Sequence, residues 1–514
     1  MKKIFSILFI TTLLITGCSE DFLDRKSLTA LADDTFWSSQ ADAEMALAGC
    51  YDNLQSRWIY DSNPWAGGAM RHEYMSDNGW VRWGWMAGGD ISRGEHSTTS
   101  WMIGSQWNDY YQAIVRCNRV IDMVPTLGED VISSDVAAQI VAEAKFIRAL
   151  VYNLVSMTYE DAPLITSIQP VEEADVAKSP KSDIVSFILS DLESSVEDLG
   201  DPGNVDWGRA SKGAGYALLA RIHLYEENWS EAASWAQKVI DLGYTLYPDF
   251  HGLFQSANEI NDEVIFPVRF VRGPDDNGAS HSAYWGSNGI NYQEVLPNLG
   301  EDYFDIEGKP ISESDLYNPE VPAENRDPRM GATLVTNNSV WRGEVFNTFS
   351  KSRTGYMQRK YTEEQNSENH FDANEDFYVF RLGEVLLMKA EALAESGGSS
   401  AEIFDLINQL RDRESVQMPH VDQAEVDNYF GGSIVEMVRH ERRVETAFEG
   451  LRYFDLKRWG ILKERAFDFY MNYEKANDNR LSDRHWPGEK QYKWPIPQSE
   501  VDRNELLEQH PEWN

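Results

Sequence analysis

Twenty residues near the C-terminus, ERRVETAFEGLRYFDLKRWG at 441–460, thread an apolar stripe through an almost unbroken run of charge. Val444, Ala447, Phe448, Leu451 and Phe454 recur at three- and four-residue steps, the spacing of one face of an amphipathic helix. Arg442, Arg443, Glu445 and Glu449 alternate in sign at short helical spacing, so pairing along the helix is expected. Gly450, at a cost of about 1 kcal/mol against Ala in a helix interior, predicts a kink or a break between two helices. Periodicity alone reads the segment as a charged helix packed on a core.

The same period recurs along the chain. Residues 36–55 place Ala43, Leu47, Cys50 and Tyr51 on one face, and helices are expected again over 105–124, from Ile140 to Val155, and from Ser182 to Leu199 behind Pro180. Residues 209–242 read as a pair of helices turning near Asn228, with small residues at regular positions, the packing pattern of tetratricopeptide-type repeats. A second pairing is expected at 379–397 and 401–413. By contrast, 56–104 is rich in Gly, Trp and polar residues, and 244–376 is dense in Gly, Pro, Asn and aromatics, predicting loops with short strands such as Val264–Phe270. The expected fold is all-α, with helical parts at 36–243 and 377–514 around a loop-rich insert at 244–376.

The front end reads as a leader. Lys2 and Lys3 precede an apolar run from Ile4 to Ile15, too short to span a bilayer, and Leu14-Ile15-Thr16-Gly17-Cys18 fits a lipoprotein signal peptidase site. Residues 1–17 would be removed, Cys18 would carry the lipid, and 18–35 would form a tether made acidic by Glu20, Asp21 and Asp24. An ordinary secretory leader with a chance cysteine is the competing reading. The 84 acidic side chains outnumber 46 basic ones for a net charge of −38, which argues against nucleic acid and anionic polymers as partners. Cys50 and Cys117 sit among core-type residues and are expected to be buried free thiols.

The order ER-x-x-E-x-x-x-EG-x-R-x-x-DLKRWG resembles the C-terminal signature of the SusD/RagB-like outer-membrane lipoproteins, and further motifs match in sequence order. These include Phe36-Trp37, Gly49-x-Tyr51, Trp107-x-x-Tyr110, Gly208-Arg209-Ala210, Asp327-Pro328-Arg329, Arg381-x-x-Glu384, Asn408-x-x-Arg411-x-Arg413 and Trp494-Pro495-Ile496-Pro497. One departure is Glu160, which stands where the family has Gly in a Tyr-Gly-x-x-Pro-Leu turn. The resemblance implies four tetratricopeptide-like helix pairs holding an irregular glycan-binding region. It further implies a lipid-anchored protein on the bacterial outer membrane, facing outward, that passes oligosaccharide or polysaccharide to a SusC-like TonB-dependent transporter. The charged motifs are then scaffold, built as buried Arg–Glu networks.

Seven of the 17 Trp fall between positions 58 and 107: Trp58, Trp65, Trp80, Trp83, Trp85, Trp101 and Trp107. Trp80, Trp83 and Trp85 with Asp77, Asn78 and Arg82 form one candidate sugar platform, in which rings stack on pyranose faces and polar groups bind hydroxyls. In an extended chain Trp83 and Trp85 would face the same side. Tyr284, Trp285, Asn288, Tyr292 and Trp341 offer a second wall. The competing reading makes each Trp core filling beneath a long loop, and for Trp107, Trp37, Trp229, Trp235 and Trp459 on helices that reading is preferred. His72-Glu73 and His440-Glu441 lack the second histidine of a zinc protease, and no nucleophile elbow, P-loop or dinucleotide motif is present. Asp275-Asp276-Asn277-Gly278 and Asn477-Asp478-Asn479 lack calcium-loop spacing and read as solvated turns, so no cofactor or metal is expected, a structural calcium remaining without support. Binding rather than catalysis is the expectation, against a surface glycoside hydrolase or lyase and against a peptide-binding member of the same family.

Overall fold

The computed structural model describes residues 36–61, 67–273, 278–279, 293–341, 343–347, 352–362, 364 and 372–514. Cys18, the leader and the tether lie outside these residues, as do Trp65, Asp275–Asn277, Tyr284, Trp285, Asn288 and Tyr292.

Eight helices form the frame: α1 Gln40–Leu54, α2 Trp101–Met123, α3 Ser134–Thr158, α4 Lys181–Glu193, α5 Lys212–Tyr225, α6 Trp229–Asp241, α7 Leu382–Glu395 and α8 Ser400–Arg411. They pack as four consecutive pairs, α1 on α2, α3 on α4, α5 on α6 and α7 on α8, and α2–α3 and α6–α7 contacts join pair to pair. Small residues permit this closeness: Ala214, Ala217 and Ala220 of α5 and Ala232 and Ala236 of α6 are fully buried. Helix starts follow capping chemistry, with Ser39, Ser133 and Ser399 each accepting from a backbone N–H in the first turn of α1, α3 and α8. The helix expected to run to Leu199 ends at Glu193, and a 3₁₀ turn at Val196–Asp198 follows.

The signature segment folds as two helices, α9 Ile434–Thr446 and α10 Arg452–Arg458, with Gly450 (φ 81°) and Phe448 (φ 64°) in left-handed conformation between them. The predicted break is therefore present. The predicted pairing along the helix is not. Glu441 meets Arg329 and Arg411, Arg442 meets Asp455 and Glu384, and Glu445 meets Arg329, Arg381 and Arg413. Glu449 takes Arg381 and Lys360. These side chains are almost wholly enclosed, because α9 is surrounded by neighbours and each charge points to a different one. Buried Arg–Glu networks are thus the scaffold, as the family resemblance implied.

Cys50 and Cys117 are buried and unbridged. Burial, and then a hydrogen bond with Cys50, push the Cys117 thiol well above its ordinary range. Glu160 keeps the turn expected of Gly by adopting φ 61°, and its carboxylate lies 3.3 Å from Lys457 and 3.8 Å from Lys493. Short antiparallel pairs complete the fold, Val264–Val268 with Phe377–Arg381 and Gly79–Val81 with Gln293–Val295 among them.

Candidate functional site

The Trp-rich segment is less of a loop than its composition suggests. A helical turn at Arg71–Tyr74 is entirely buried, and Glu73 Oε1 accepts the backbone N–H groups of Gly450, Leu451 and Arg452 at 2.9, 3.0 and 3.3 Å. It thereby caps the gap between α9 and α10. Asp77 is 1 % exposed and pairs with Arg452 at 2.8 Å, Arg465 at 3.1 Å and Arg443 at 3.4 Å. Burial works to raise the Asp77 carboxyl, but these arginines outweigh it and hold it well below the usual carboxylate range. Asn78 donates to Glu73 at 2.8 Å and accepts from Arg443 at 2.9 Å. Trp80 lies in the strand Gly79–Val81, donates its indole N–H to Ser482 Oγ at 2.7 Å, and packs with Leu296, Tyr470 and Leu481.

Asp77, Asn78 and Trp80 are accordingly corrected from sugar contacts to scaffold: buried and spent on protein partners, they present nothing to a ligand. Trp341 is corrected for the same reason. It is buried in the hairpin Val340–Trp341/Glu344–Val345, edge-on to Phe346 at 5.4 Å and packed with Val335 and Met357.

Trp83, Trp85 and Arg82 do come together. A turn closed by Met86 N–H donating to the Trp83 carbonyl at 3.1 Å, not an extended strand, brings the two indoles into a near-parallel stack 5.8 Å apart and inclined by 22°. The Arg82 guanidinium lies 4.9 Å from the Trp83 ring, and Arg93 donates to the Arg82 carbonyl at 3.1 Å. A Cβ at Gly89 would sit 2.4 Å from the Trp83 carbonyl oxygen, so the fold-back requires glycine there. Met86, Ala87 and Ile91 anchor the turn in the core, while Trp85 keeps 63 % of its surface exposed. A partly buried ring supporting an exposed one, on an anchored turn, is a pre-formed aromatic surface for a ligand with an apolar face.

A second aromatic pair escaped sequence reasoning. Trp58, after α1, meets Trp101, the first residue of α2, edge-on at 4.9 Å, and Trp101 is 54 % exposed. Membership of the same seven-Trp run was the available signal, since no spacing rule joins residues 43 positions apart in different elements. Trp107 is core, as expected, at 5 % exposure. Trp37, Trp229, Trp235 and Trp459 pack partly buried against that core. Asp478, in one of the acidic turns, is tied to Arg480 at 2.6 Å. Among the described residues no group of three or more His, Cys, Asp or Glu is placed to hold a metal ion, and no helix is long and apolar enough to cross a membrane.

Comparison with known proteins places this architecture. Residues 262–513 match the SusD family, and residues 21–224 match the family described as starch-binding associating with outer membrane. SusD-like protein P25 of Formosa agariphila is 26 % identical over 96 % of both chains. Starch-binding protein SusD of Bacteroides thetaiotaomicron is 22 % identical over 83 % of this chain and 82 % of its own. The crystal structure of a SusD-like carbohydrate binding protein from Bacteroides fragilis superposes with a TM-score of 0.80 at 27 % identity, covering 93 % of this chain and all of that one. Motif order, helix pairing and both family matches agree: the chain belongs to the SusD/RagB family.

Proposed function

We propose that this protein is a non-catalytic, lipid-anchored surface protein that captures a neutral oligosaccharide or polysaccharide and delivers it to a SusC-like TonB-dependent transporter in the outer membrane. The stacked Trp83–Trp85 pair carries the reading. Sugar C–H faces stack on indole rings, and an exposed ring backed by a second one binds with little loss of side-chain freedom. The names of the relatives, starch-binding and carbohydrate binding, support the same ligand class. The acidic surface favours a neutral polymer over a sulfated or uronate one.

Affinity electrophoresis against plant, algal, fungal and host polysaccharides tests it. Retardation by a neutral polysaccharide is expected, without shortening of the polymer, and Trp85→Ala should weaken it at an unchanged melting temperature. Retardation with chain cleavage would replace binding by hydrolysis. Indifference to every glycan, together with binding to peptides, would overturn the ligand class.

A further inference from the structure

The helix after α10 carries a second aromatic stack, on a side that the core does not use. Lys463–Glu474 is a π-helix, a form rare in proteins and frequent at functional sites. Its inner side is buried through Ala466, Phe467 and Tyr470, and Tyr470 packs with Trp80. Its outer side is polar, with Glu464, Asp468 and Asn472 exposed. There Phe469, half-buried, and Tyr473, 38 % exposed, stack with ring centroids 5.1 Å apart and planes inclined by 22°.

The stack is fixed from both ends. Arg465, four residues before Phe469, holds its guanidinium 5.1 Å from the Phe469 ring and reaches the buried Asp77 at 3.1 Å. The Tyr473 hydroxyl donates to Glu301, 3.0 and 3.2 Å from its two oxygens. Burial, and then Glu301, push that hydroxyl up to about 12, so it stays protonated and keeps donating. The exposed ring is thereby oriented before any ligand arrives. At the next four-residue step stands Asn477, exposed, which offers an amide beyond the ring rather than a third ring to cover it.

Charged neighbours turn to the protein itself. Glu474 accepts from Asn298 at 2.8 Å, Lys475 donates to the Asn479 carbonyl at 2.7 Å, and Asp478 pairs with Arg480 at 2.6 Å. A ring backed by a second ring, flanked by the amides of Asn472 and Asn477, is left toward solvent. That combination fits a pyranose, which presents a C–H face and hydroxyls. It suits a cationic peptide less well, because the carboxylate at the ring, Glu301, already accepts from Tyr473.

We infer that the Phe469–Tyr473 stack is a second saccharide-binding surface, with Tyr473 stacking on a ring of neutral glycan and Asn472 and Asn477 meeting its hydroxyls. The inference rests on the glycan-binding reading above and extends it to an element far in sequence from the Trp83–Trp85 turn. The two surfaces share a brace, since Tyr470 of the π-helix packs with Trp80, close before Trp83. A chain long enough to engage both is held more tightly than by either alone.

Hydroxyl-radical footprinting of the full chain, read by mass spectrometry at matched radical dose, follows Tyr473 and Trp85 separately. The probes are laminarin, amylopectin, galactomannan and xylan, with hexalysine as the charged comparison. At least one polysaccharide should protect Tyr473 severalfold, and the protection should persist in a Trp83→Ala/Trp85→Ala double variant. In affinity electrophoresis, adding Tyr473→Ala to that double variant should weaken the remaining retardation severalfold, whereas Tyr473→Phe, which keeps the ring, should retain most of it. Protection of Trp85 without Tyr473 would overturn the second surface and leave the platform standing. Protection of neither residue by any polysaccharide would overturn both readings. Protection of Tyr473 by hexalysine alone would overturn the ligand class of this surface. Tyr473 protection that vanishes with the platform, or equal weakening by the Ala and Phe variants, would also overturn it.

Discussion

Replacing Glu441 with Gln probes whether the internal charge network holds the scaffold together. One Glu441 oxygen lies 2.7 Å from the Arg329 guanidinium, and the other accepts from Arg411 at 2.9 and 3.1 Å. Burial works to raise this acid, but Arg329 and Arg411 outweigh it and bring it from 4.5 to about 2. The folded chain therefore releases this proton more readily than the unfolded one. Its contribution is complete above about pH 4.5 and is lost as pH falls toward 2. A depression of that size corresponds to about 3 kcal/mol. Gln keeps volume and one acceptor but removes the charge, leaving two enclosed guanidiniums under-compensated. Arg329 retains Asp327 and Glu445, and Arg411 retains Glu425, so the loss belongs near the lower end of the roughly 3–5 kcal/mol seen when one partner of a buried pair is removed. Urea unfolding followed by circular dichroism, at neutral pH and in steps into the acid range, measures it. The variant should be about 3 kcal/mol less stable at neutral pH, with the difference narrowing once pH passes below the ordinary carboxylate value. A loss under about 1 kcal/mol, or two pH curves that run parallel, would refute the reasoning.

Other substitutions read other parts of the structure. Glu160→Gly relieves a left-handed residue but forfeits the contacts with Lys457 and Lys493, so it should be nearly neutral, whereas Glu160→Ala loses the contacts and keeps the strain. Thermal melts should place the Gly variant about 1 kcal/mol above the Ala variant; an Ala variant of equal stability would contradict the assigned conformation. Lys457 is brought from 10.5 to about 8 by burial, which Glu160 only partly offsets. The unfolded chain keeps that proton to higher pH, so stability should rise with pH between about 8 and 10.5, and Lys457→Met should remove that part of the slope. Binding of a neutral glycan at the Trp83–Trp85 surface should change little between low and moderate salt in isothermal titration, since no net ion pairing drives it. A steep loss of affinity with salt would point to a charged ligand.

The helical frame was legible because its signals are local. Small residues at helical spacing in α5 and α6, the proline behind which α4 starts, and the glycine that parts α9 from α10 all act within a few positions of themselves. What the sequence concealed was direction. Arg442 and Arg443 are adjacent, yet one turns to Asp455 and Glu384 and the other to Asp77, Asn78 and Asp302. A charge at short helical spacing looks like a local partner when its true partner lies on another element, 13 residues away for Arg442 with Asp455 and 365 for Arg443 with Asn78. The same blindness made Asp77 and Asn78 look like sugar contacts. Polar residues in a Gly- and Trp-rich stretch read as exposed unless the arginines that bury them are known to arrive. Trp83 and Trp85 were paired correctly for the wrong reason, because a turn, not strand alternation, brings them together. Trp80 and Trp341 went to the core because the short strands that carry them are covered.

This use of charge inside the protein shapes its outside. Arg329, Arg381, Arg411, Arg413, Arg442, Arg443, Arg452 and Arg484 are all buried, most of them against carboxylates that are buried too. Such an interior is close to self-compensating. The excess of 84 acidic over 46 basic side chains is thus left to the surface, with fewer cations to offset it than composition alone would suggest. At the aromatic platform Arg82 lies over the Trp83 indole and Arg93 donates to the Arg82 carbonyl. A polyanionic chain would approach through an unfavourable field, whereas a neutral chain is indifferent to the field and needs only ring faces and hydroxyl partners. On the proposed glycan-binding reading, the arginines of the signature bear on ligand choice without touching a ligand, because they are withdrawn from the surface where they would otherwise attract anions.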